Sequence, residues 1–282
     1  MSGILIDGKS VSKRVLSELK ADVAEFVSLG KPAPLLAVVL VGEDPASQVY
    51  VRSKTKRAKT AGMDVLDTIL PADVSNSDLQ NTLVELSRNP KVDGILLQLP
   101  LPSGLDEFAA LLCITPEKDV DGLHPFSQGL LVRGADGFKP CTPYGSMILI
   151  EEACLLLKKP SDLSGMNAVV VGRSVLVANC TVSVCHSRTK DLKAHTSQAD
   201  ILIAAVGRPE LITGDYVKPG AIVIDVGINR TEEGSLVGDC EFDSCAAVAG
   251  AITPVPGGVG PMTIAVLLQN TLYSARNREP RI

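Results

Sequence analysis

Two apolar runs with a very short connection between them constrain the fold more than any other part of the sequence. The runs are Ala168–Val171 and Thr181–Cys185, and a Gly-Arg-Ser turn follows the first of them. This order is typical of the start of a dinucleotide-binding βαβ unit. The second run leads to Ser187 and Arg188, where NAD-selective sites place an acidic residue for the ribose hydroxyls. The pattern therefore predicts a site that favours the 2′-phosphate of NADP.

The connection between these runs is too short for the expected crossover helix. Parallel neighbours require a crossover of about a dozen residues or more, and only Gly172–Cys180 lies between the runs. Two interpretations stay open. Either a segment of roughly ten residues is missing from the sequence, or the deletion is genuine and removes the helix N-terminus that would face phosphate.

The length and composition indicate a two-domain protein with aliphatic cores. A chain of 282 residues exceeds what one core usually serves. Hydrophobic residues make up 45% and aromatic residues only 3% of the chain, which suits parallel sheets covered by helices. The net charge of −5 predicts neither nucleic acid nor membranes as partners. Neither a leader nor a spanning segment is recognisable, so a cytoplasmic protein is expected.

The cysteines and histidines predict neither disulfides nor a metal site. The seven cysteines are odd in number and lack Cys-x-x-Cys spacing, so reduced and mostly buried thiols are expected. The three histidines are scattered along the chain, which argues against a zinc site.

Strand-like and helix-like segments alternate along the chain, which predicts an α/β fold. We expect a first domain at residues 1–141 and a second, dinucleotide-binding domain at 142–261, with a last helix at about 262–282 that packs back on the first. The other expected strands are Leu35–Val41, Val65–Leu70, Val92–Gln98, Ile201–Ala205, Ile222–Val226 and Ala249–Ile252, and the other expected helices start near residues 10, 45, 77, 106 and 142.

Ser47, Tyr50 and Lys54 lie at helical spacing and share one stripe of the helix that Asp44-Pro45 opens. The Tyr50 ring can stack on a flat heterocycle, and the Lys54 amine can transfer a proton if burial lowers its pKa. The alternative is a solvated basic face, because several other cations occupy the same helix. Spacing alone leaves both interpretations open.

Polar residues also follow two further segments. Gln98 ends an apolar strand, where ligands of open α/β sheets gather, and its amide can orient Lys54 or simply cap the loop. Asp119 and Asp121 share one side of an extended segment. A carboxylate there can bind a pterin-like ring or belong to a plain Asp-Gly turn.

The loop Thr253–Thr263 is rich in proline and glycine and precedes a helix. Proline fixes φ, and glycine permits a close approach of the backbone. Such a loop suits contact with a ligand through main-chain groups, but a tight connection without a ligand has the same composition.

Together these segments resemble the bifunctional methylenetetrahydrofolate dehydrogenase/methenyltetrahydrofolate cyclohydrolase family over nearly the whole chain. The most specific matches are Lys-Asp-Val-Asp-Gly at residues 118–122 and Pro-Val-Pro-Gly-Gly-Val-Gly-Pro-Met-Thr at 254–263. Further matching segments are Ile6–Lys9, Val41–Lys54, Asp93–Pro102, Pro140–Pro143 and Asp225–Arg230.

The resemblance implies a catalytic α/β domain joined to a Rossmann-like domain, with folate in the cleft between them. It implies that Lys54 is catalytic and assisted by Gln98, that Tyr50 stacks on the folate, and that Asp121 holds the pterin ring. Other implied substrate-binding residues are Ser47, Leu99, Pro100, Pro256 and Gly257. The implied NADP-binding residues are Gly172, Arg173, Ser174, Ser187, Arg188, Ile228 and Thr263.

The implied activity is NADP-dependent oxidation of 5,10-methylenetetrahydrofolate, followed by hydrolysis of the methenyl product to 10-formyltetrahydrofolate. Tetrahydrofolate derivatives are the implied ligands, and a homodimer is the implied assembly. The chain departs from the family pattern after residue 177, where Ala178-Asn179 leads straight into the second strand instead of a Gly-x-Pro turn and helix. A cyclohydrolase with an impaired cofactor site and a non-catalytic dinucleotide-sensing scaffold therefore remain alternatives.

Overall fold

Helices and mostly parallel strands alternate along the chain, which confirms the predicted α/β class. The computed structural model of the protein describes residues 3–172 and 180–277. The chain divides into two units. The six-stranded unit consists of Met1–Lys13 and Thr142–Thr263, and the three-stranded unit consists of Arg14–Cys141 and Ile264–Ile282.

The three-stranded unit contains a parallel sheet with its most apolar strand in the centre. Its strands are β2 (Leu35–Val41), β3 (Asp64–Leu70) and β4 (Gly94–Leu97), in the order β3-β2-β4. The β2 side chains are buried on both faces apart from Leu35, as is typical of parallel sheets. The helices within this unit are α2 (Pro45–Thr60), α3 (Asn76–Arg88), α4 (Glu107–Leu111) and α5 (Pro125–Val132).

The six-stranded unit contains a parallel sheet with the doubly wound strand order. Its strands are β1 (Ile4–Leu5), β5 (Asn167–Val171), β6 (Thr181–Cys185), β7 (Ile201–Ala204), β8 (Ile222–Asp225) and β11 (Ala251–Ile252). Their order is β1-β11-β8-β7-β5-β6. From β5 the chain turns first to β6 on one side and then to β7 on the other, which creates a topological switch point between β5 and β7. A small antiparallel pair, β9 (Asn229–Arg230) and β10 (Leu236–Val237), and the helices α7 (Leu192–Thr196) and α8 (Phe242–Val248) complete the unit.

The two short-connected strands pair as the sequence predicts. Asn167 is opposite Thr181 and Val171 is opposite Cys185 in a parallel register. The expectation about the missing crossover helix falls on residues 173–179, which lie outside the described residues.

The boundaries between the units fall inside three helices. These are α1 (Gly8–Ser28), α6 (Cys141–Leu156) and α9 (Val259–Asn277). In the C-terminal part of α9, Asn270 Nδ2 donates to the Val120 carbonyl over 2.8 Å. Ser274 Oγ donates to the Asp93 carbonyl over 2.5 Å. These two bonds tie the last helix to the three-stranded unit.

The N-terminal segment departs from the predicted domain boundaries. Residues 1–13 group with the six-stranded unit because β1 is its edge strand. The Ile4 and Ile6 amides each donate over 2.8 Å, to the carbonyls of Gly250 and Ile252. A two-residue strand has too few residues for a recognisable alternation, so the sequence offers no signal for this pairing.

No helix within the described residues is long and apolar enough to cross a membrane. The same residues contain no group of three or more His, Cys, Asp or Glu side chains placed to hold a metal ion.

Candidate active site

Helix α2 carries the predicted catalytic stripe, and its start is fixed by a side-chain cap. The Asp44 carboxylate accepts a hydrogen bond from the Ser47 amide over 2.7 Å, and Pro45 occupies the first turn. Capping satisfies an amide that has no partner within the helix. The stripe that follows holds Ser47, which is buried, Tyr50, which is half-buried, and Lys54. Burial raises the pKa of the Tyr50 phenol, so the ring stays neutral.

Lys54 is not part of a solvated basic face. Its side chain is only 7% exposed, whereas Arg52, Lys56 and Lys59 on the same helix are exposed. The Lys54 ammonium donates to Gln98 Oε1 over 2.9 Å. Burial lowers the pKa of the Lys54 amine, and the nearby Asp121 carboxylate opposes that shift. The result is a buried amine with reduced affinity for its proton.

Gln98 follows β4 and links Lys54 to the next loop. Its Nε2 donates to the Leu99 carbonyl over 2.6 Å, which leaves Oε1 to accept from Lys54. The peptide bond between Leu99 and Pro100 is cis. Gln98 thus contacts the lysine and also caps the loop, so the contacts of both interpretations are present.

The two aspartates of the Lys-Asp-Val-Asp-Gly segment have different surroundings. Asp119 is 2% exposed and accepts hydrogen bonds from the Leu123 amide, the His124 amide and the Ser127 hydroxyl at 3.1, 2.9 and 2.7 Å. Its carboxylate therefore shapes the loop. Asp121 is half-buried and lies close enough to Lys54 to influence its pKa.

Cys141 is a further group at this site that the residue patterns alone do not single out. It is 1% exposed, and its amide donates to the Asp121 carbonyl over 3.3 Å. Burial raises the pKa of this thiol well above its usual value, and the Asp121 carboxylate adds to the shift. The thiol is therefore neutral, and it lies beside Lys54 as a small polarisable neighbour.

Four of the predicted cofactor residues, Gly172, Ser187, Arg188 and Ile228, follow strands of the six-stranded unit. Gly172 follows β5 with φ of +141°, and a Cβ atom there would clash with the Ala205 carbonyl, so this position requires glycine. Ser187 and Arg188 are exposed beyond β6. Ile228 beyond β8 is 45% exposed. Arg173 and Ser174 lie outside the described residues.

The Pro- and Gly-rich loop also belongs to the six-stranded unit. Pro256 is exposed, whereas Gly257 is buried with φ of +114°. Thr263 Oγ1 lies 3.0 Å from the hydroxyl of Thr142. A Cβ atom on Gly8 would clash with the Gly258 carbonyl, so the start of α1 packs directly on this loop.

Comparison with known proteins gives matches over both units. A tetrahydrofolate dehydrogenase/cyclohydrolase catalytic-domain model matches residues 6–121, and the NAD(P)-binding-domain model of the same name matches residues 140–279. Bifunctional protein FolD 1 of Mesorhizobium japonicum is 54% identical over 290 residues, covering 96% of this chain and 95% of that protein. The chain belongs to the tetrahydrofolate dehydrogenase/cyclohydrolase family.

Solved structures of the family have the same fold. The Campylobacter jejuni bifunctional FolD enzyme superposes with a TM-score of 0.91 at 44% identity, covering 99% of this chain and all of that one. The Trypanosoma brucei methylenetetrahydrofolate dehydrogenase-cyclohydrolase, solved with NADP and an inhibitor, gives a TM-score of 0.89 at 36% identity, with 98% of both chains covered. The family assignment therefore rests on the sequence matches, and the fold agrees with it.

Proposed function

We infer that this chain is a bifunctional enzyme of folate one-carbon metabolism. It oxidises 5,10-methylenetetrahydrofolate to 5,10-methenyltetrahydrofolate with NADP and hydrolyses that product to 10-formyltetrahydrofolate. The observation that carries the inference is the buried Lys54 hydrogen-bonded to Gln98 over 2.9 Å. A scaffold has no use for a desolvated lysine held by a strand-end amide, so the non-catalytic alternative is not favoured.

The six-stranded unit has the features that a nicotinamide dinucleotide requires. Gly172 allows the backbone after β5 to approach the switch point closely. Arg188 is exposed beyond β6, where a guanidinium suits the 2′-phosphate of NADP. Bound there, NADP supplies the acceptor for a hydride from the folate methylene carbon, and the protein supplies position and electrostatics.

Lys54 handles the proton of the hydrolytic step in this proposal. A water oxygen bonds to the methenyl carbon, and the lowered pKa of Lys54 lets its neutral amine take the water proton. The bond from that carbon to N5 then breaks, N5 gains a proton, and the added hydroxyl loses its remaining proton as it becomes the carbonyl of the formyl group on N10. Of the two water protons, one thus ends on N5 and the other, taken up by Lys54, is released to solvent. Gln98 holds the amine in place through this sequence.

The remaining side chains position the folate. We assign ring stacking to Tyr50 and the pterin hydrogen bonds to Asp121, whose half-buried carboxylate is an ionic acceptor. We assign the contacts with the rest of the substrate to Ser47, Leu99, Pro100, Pro256 and Gly257. A homodimer in the cytoplasm completes the proposal, as expected from the family resemblance.

Replacing Lys54 tests the proposal directly. Lys54→Met should reduce hydrolysis of methenyltetrahydrofolate by a factor of about 100 or more, because general acid–base catalysis contributes about that much. Lys56→Met is the matched control, since Lys56 is exposed on the same helix, and it should retain full activity. Hydrolysis at the wild-type rate by Lys54→Met would contradict the assignment of Lys54. Absence of substrate-dependent NADP reduction by the wild type would contradict the dehydrogenase function.

A further inference from the structure

Two buried carboxylates lie in the six-stranded unit, and the chemistry proposed above does not use them. Asp225 ends β8 and is 3% exposed, and Asp239 is fully buried. Asp225 Oδ1 accepts from the amides of Gly227 and Asp239, both over 3.0 Å. Asp225 Oδ2 accepts from the Cys240 amide over 2.9 Å. Asp225 thereby fixes the backbone that carries Asp239.

The Asp239 carboxylate binds a different stretch of backbone. Its Oδ2 accepts from the amides of Val206 and Gly207 over 2.5 and 3.0 Å. Its Oδ1 accepts from the Arg208 amide and from Asn229 Nδ2, both over 2.9 Å. Three consecutive amides after β7 are thus satisfied by one side chain.

Two glycines make this arrangement possible. A Cβ atom on Gly238 would clash with the Asp225 carboxylate, and a Cβ atom on Gly227 would clash with Asp239. Each carboxylate therefore sits where only a glycine of the neighbouring loop leaves room. Burial raises the pKa of Asp225 to about 6, so Asp225 is charged at neutral pH and can accept all three of its amide hydrogen bonds.

The loops held in this way border the expected nucleotide site. Residues 205–208 follow β7, and the Ala205 carbonyl lies against Gly172 at the switch point. Residues 226–229 follow β8 and include the exposed Ile228. Ligands of doubly wound sheets bind outside the carboxyl ends of the strands at this place.

We propose that Asp239 is a positioning residue for the nicotinamide dinucleotide, held in place by Asp225. Its hydrogen bonds fix the backbone position of the loops after β7 and β8. Those two loops form one wall of the cofactor site in this proposal. The proposal rests on the proposed function, since it presumes a nucleotide at the switch point. It assigns Asp239 no direct contact with the cofactor.

Asp239→Asn tests this role. The substitution replaces one of the two carboxylate oxygens with an NH2 group, which cannot accept a hydrogen bond. Either the Val206 and Gly207 amides or the Arg208 amide and Asn229 Nδ2 then lose their acceptor. We expect the KM and Kd for NADP to rise about tenfold or more, which corresponds to about 1.4 kcal/mol. The value of kcat at saturating NADP should change much less. Hydrolysis of methenyltetrahydrofolate without nucleotide should stay at the wild-type rate.

Two further variants separate positioning from folding. Asp243→Asn, an exposed acid on α8 of the same unit, should leave the NADP constants unchanged. Asn229→Ala removes one donor to Asp239, together with the hydrogen bond that the same Nδ2 makes to the Gly238 carbonyl over 3.1 Å. It should raise the NADP KM by a smaller factor, so a graded series remains if Asp239→Asn folds poorly. Amide hydrogen exchange should accelerate at 206–208 in Asp239→Asn and stay protected at β5.

The outcomes distinguish this proposal from the proposed function. If wild type and Asp239→Asn bind NADP equally, Asp239 is not a positioning residue, and the enzyme assignment is untouched. If Asp239→Asn folds poorly, an unchanged NADP KM in Asn229→Ala leads to the same conclusion. If the wild type neither binds nor reduces NADP, the dehydrogenase function fails and this proposal fails with it.

Discussion

The chemistry of Lys54 originates in its burial. A lysine on an exposed helix face keeps its proton at neutral pH, whereas desolvation disfavours the charged ammonium. Here the shift toward the neutral amine is limited by the Asp121 carboxylate. Lys54 therefore sits between two opposing effects, and the balance between them sets the pH at which it can accept a proton.

Changing Asp121 should move the pH profile in a defined direction. The Asp121 carboxylate favours the charged form of Lys54, so Asp121→Asn should lower the pKa of Lys54 further. Because the neutral amine is the active form, the rising limb of kcat for the cyclohydrolase should shift to lower pH. The measurement is kcat at saturating substrate from pH 6 to 10, corrected for uncatalysed hydrolysis.

Asp136→Asn serves as the control for that profile. Asp136 is an exposed acid of the same unit, so its variant should reproduce the wild-type limb. A limb that moves to higher pH in Asp121→Asn would mean that the protonated ammonium is the active form.

Some of these residue properties can be predicted from sequence, and others cannot. The stripe of Tyr50 and Lys54 follows from helical periodicity. Their burial does not, because it depends on what the rest of the fold places over α2. The sequence also cannot distinguish Asp119, which shapes a loop, from Asp121, which faces Lys54. Asp225 and Asp239 are 14 positions apart, and only the pairing of loops at the sheet edge brings them together.

At the scale of elements, helix α2 acts as the support of the site. The orientation of Tyr50 and Lys54 depends on a fixed first turn of this helix. The Asp44 cap fixes that turn. Strand β4 supplies the second support, because Gln98 follows it directly. The long apolar strands and the long helices were predictable, since their periodicity is strong, whereas the short helices α7 and α8 were not predicted. The helix α5 and the two-residue strand β1 are too short for that signal.

Loss of the α2 cap should affect activity as well as stability. Asp44→Ala should lower the free energy of unfolding by about 1 kcal/mol, the usual contribution of an N-cap, and should reduce cyclohydrolase kcat because Lys54 loses its fixed position. Ser75→Ala removes the corresponding cap of α3, where Ser75 accepts from the Asp78 amide over 3.1 Å. It should have a similar stability cost with unchanged kcat. Urea unfolding and steady-state rates measure both, and equal losses of activity would contradict the special role of α2.

At the scale of the whole molecule, the six-stranded unit is built from two distant parts of the chain. Its edge strand β1 precedes the entire three-stranded unit in sequence, yet β1 pairs with β11. This grouping could not be predicted, because sequence patterns report local periodicity and not which distant strand is the neighbour.

A matched pair of substitutions in this segment tests the grouping. Ile6 is fully buried, and Ile4 is 40% exposed. Ile6→Ala should destabilise the six-stranded unit by about 2–5 kcal/mol, the usual cost of truncating a buried isoleucine, while Ile4→Ala should cost much less. Hydrogen exchange should accelerate at β11 and β8 in Ile6→Ala and stay at the wild-type rate in β2. Faster exchange confined to β2 would assign the segment to the other unit instead.

This discontinuous sheet has a consequence for the order of events during synthesis on the ribosome. Residues 4–5 are synthesised long before their partners at 251–252. The strand therefore waits unpaired while the three-stranded unit is translated, and an unpaired strand is open to pairing with other chains. Closing so long a loop is slow compared with local helix formation. Pairing of β1 with β11 must then come after synthesis of the whole segment between them, residues 6–250.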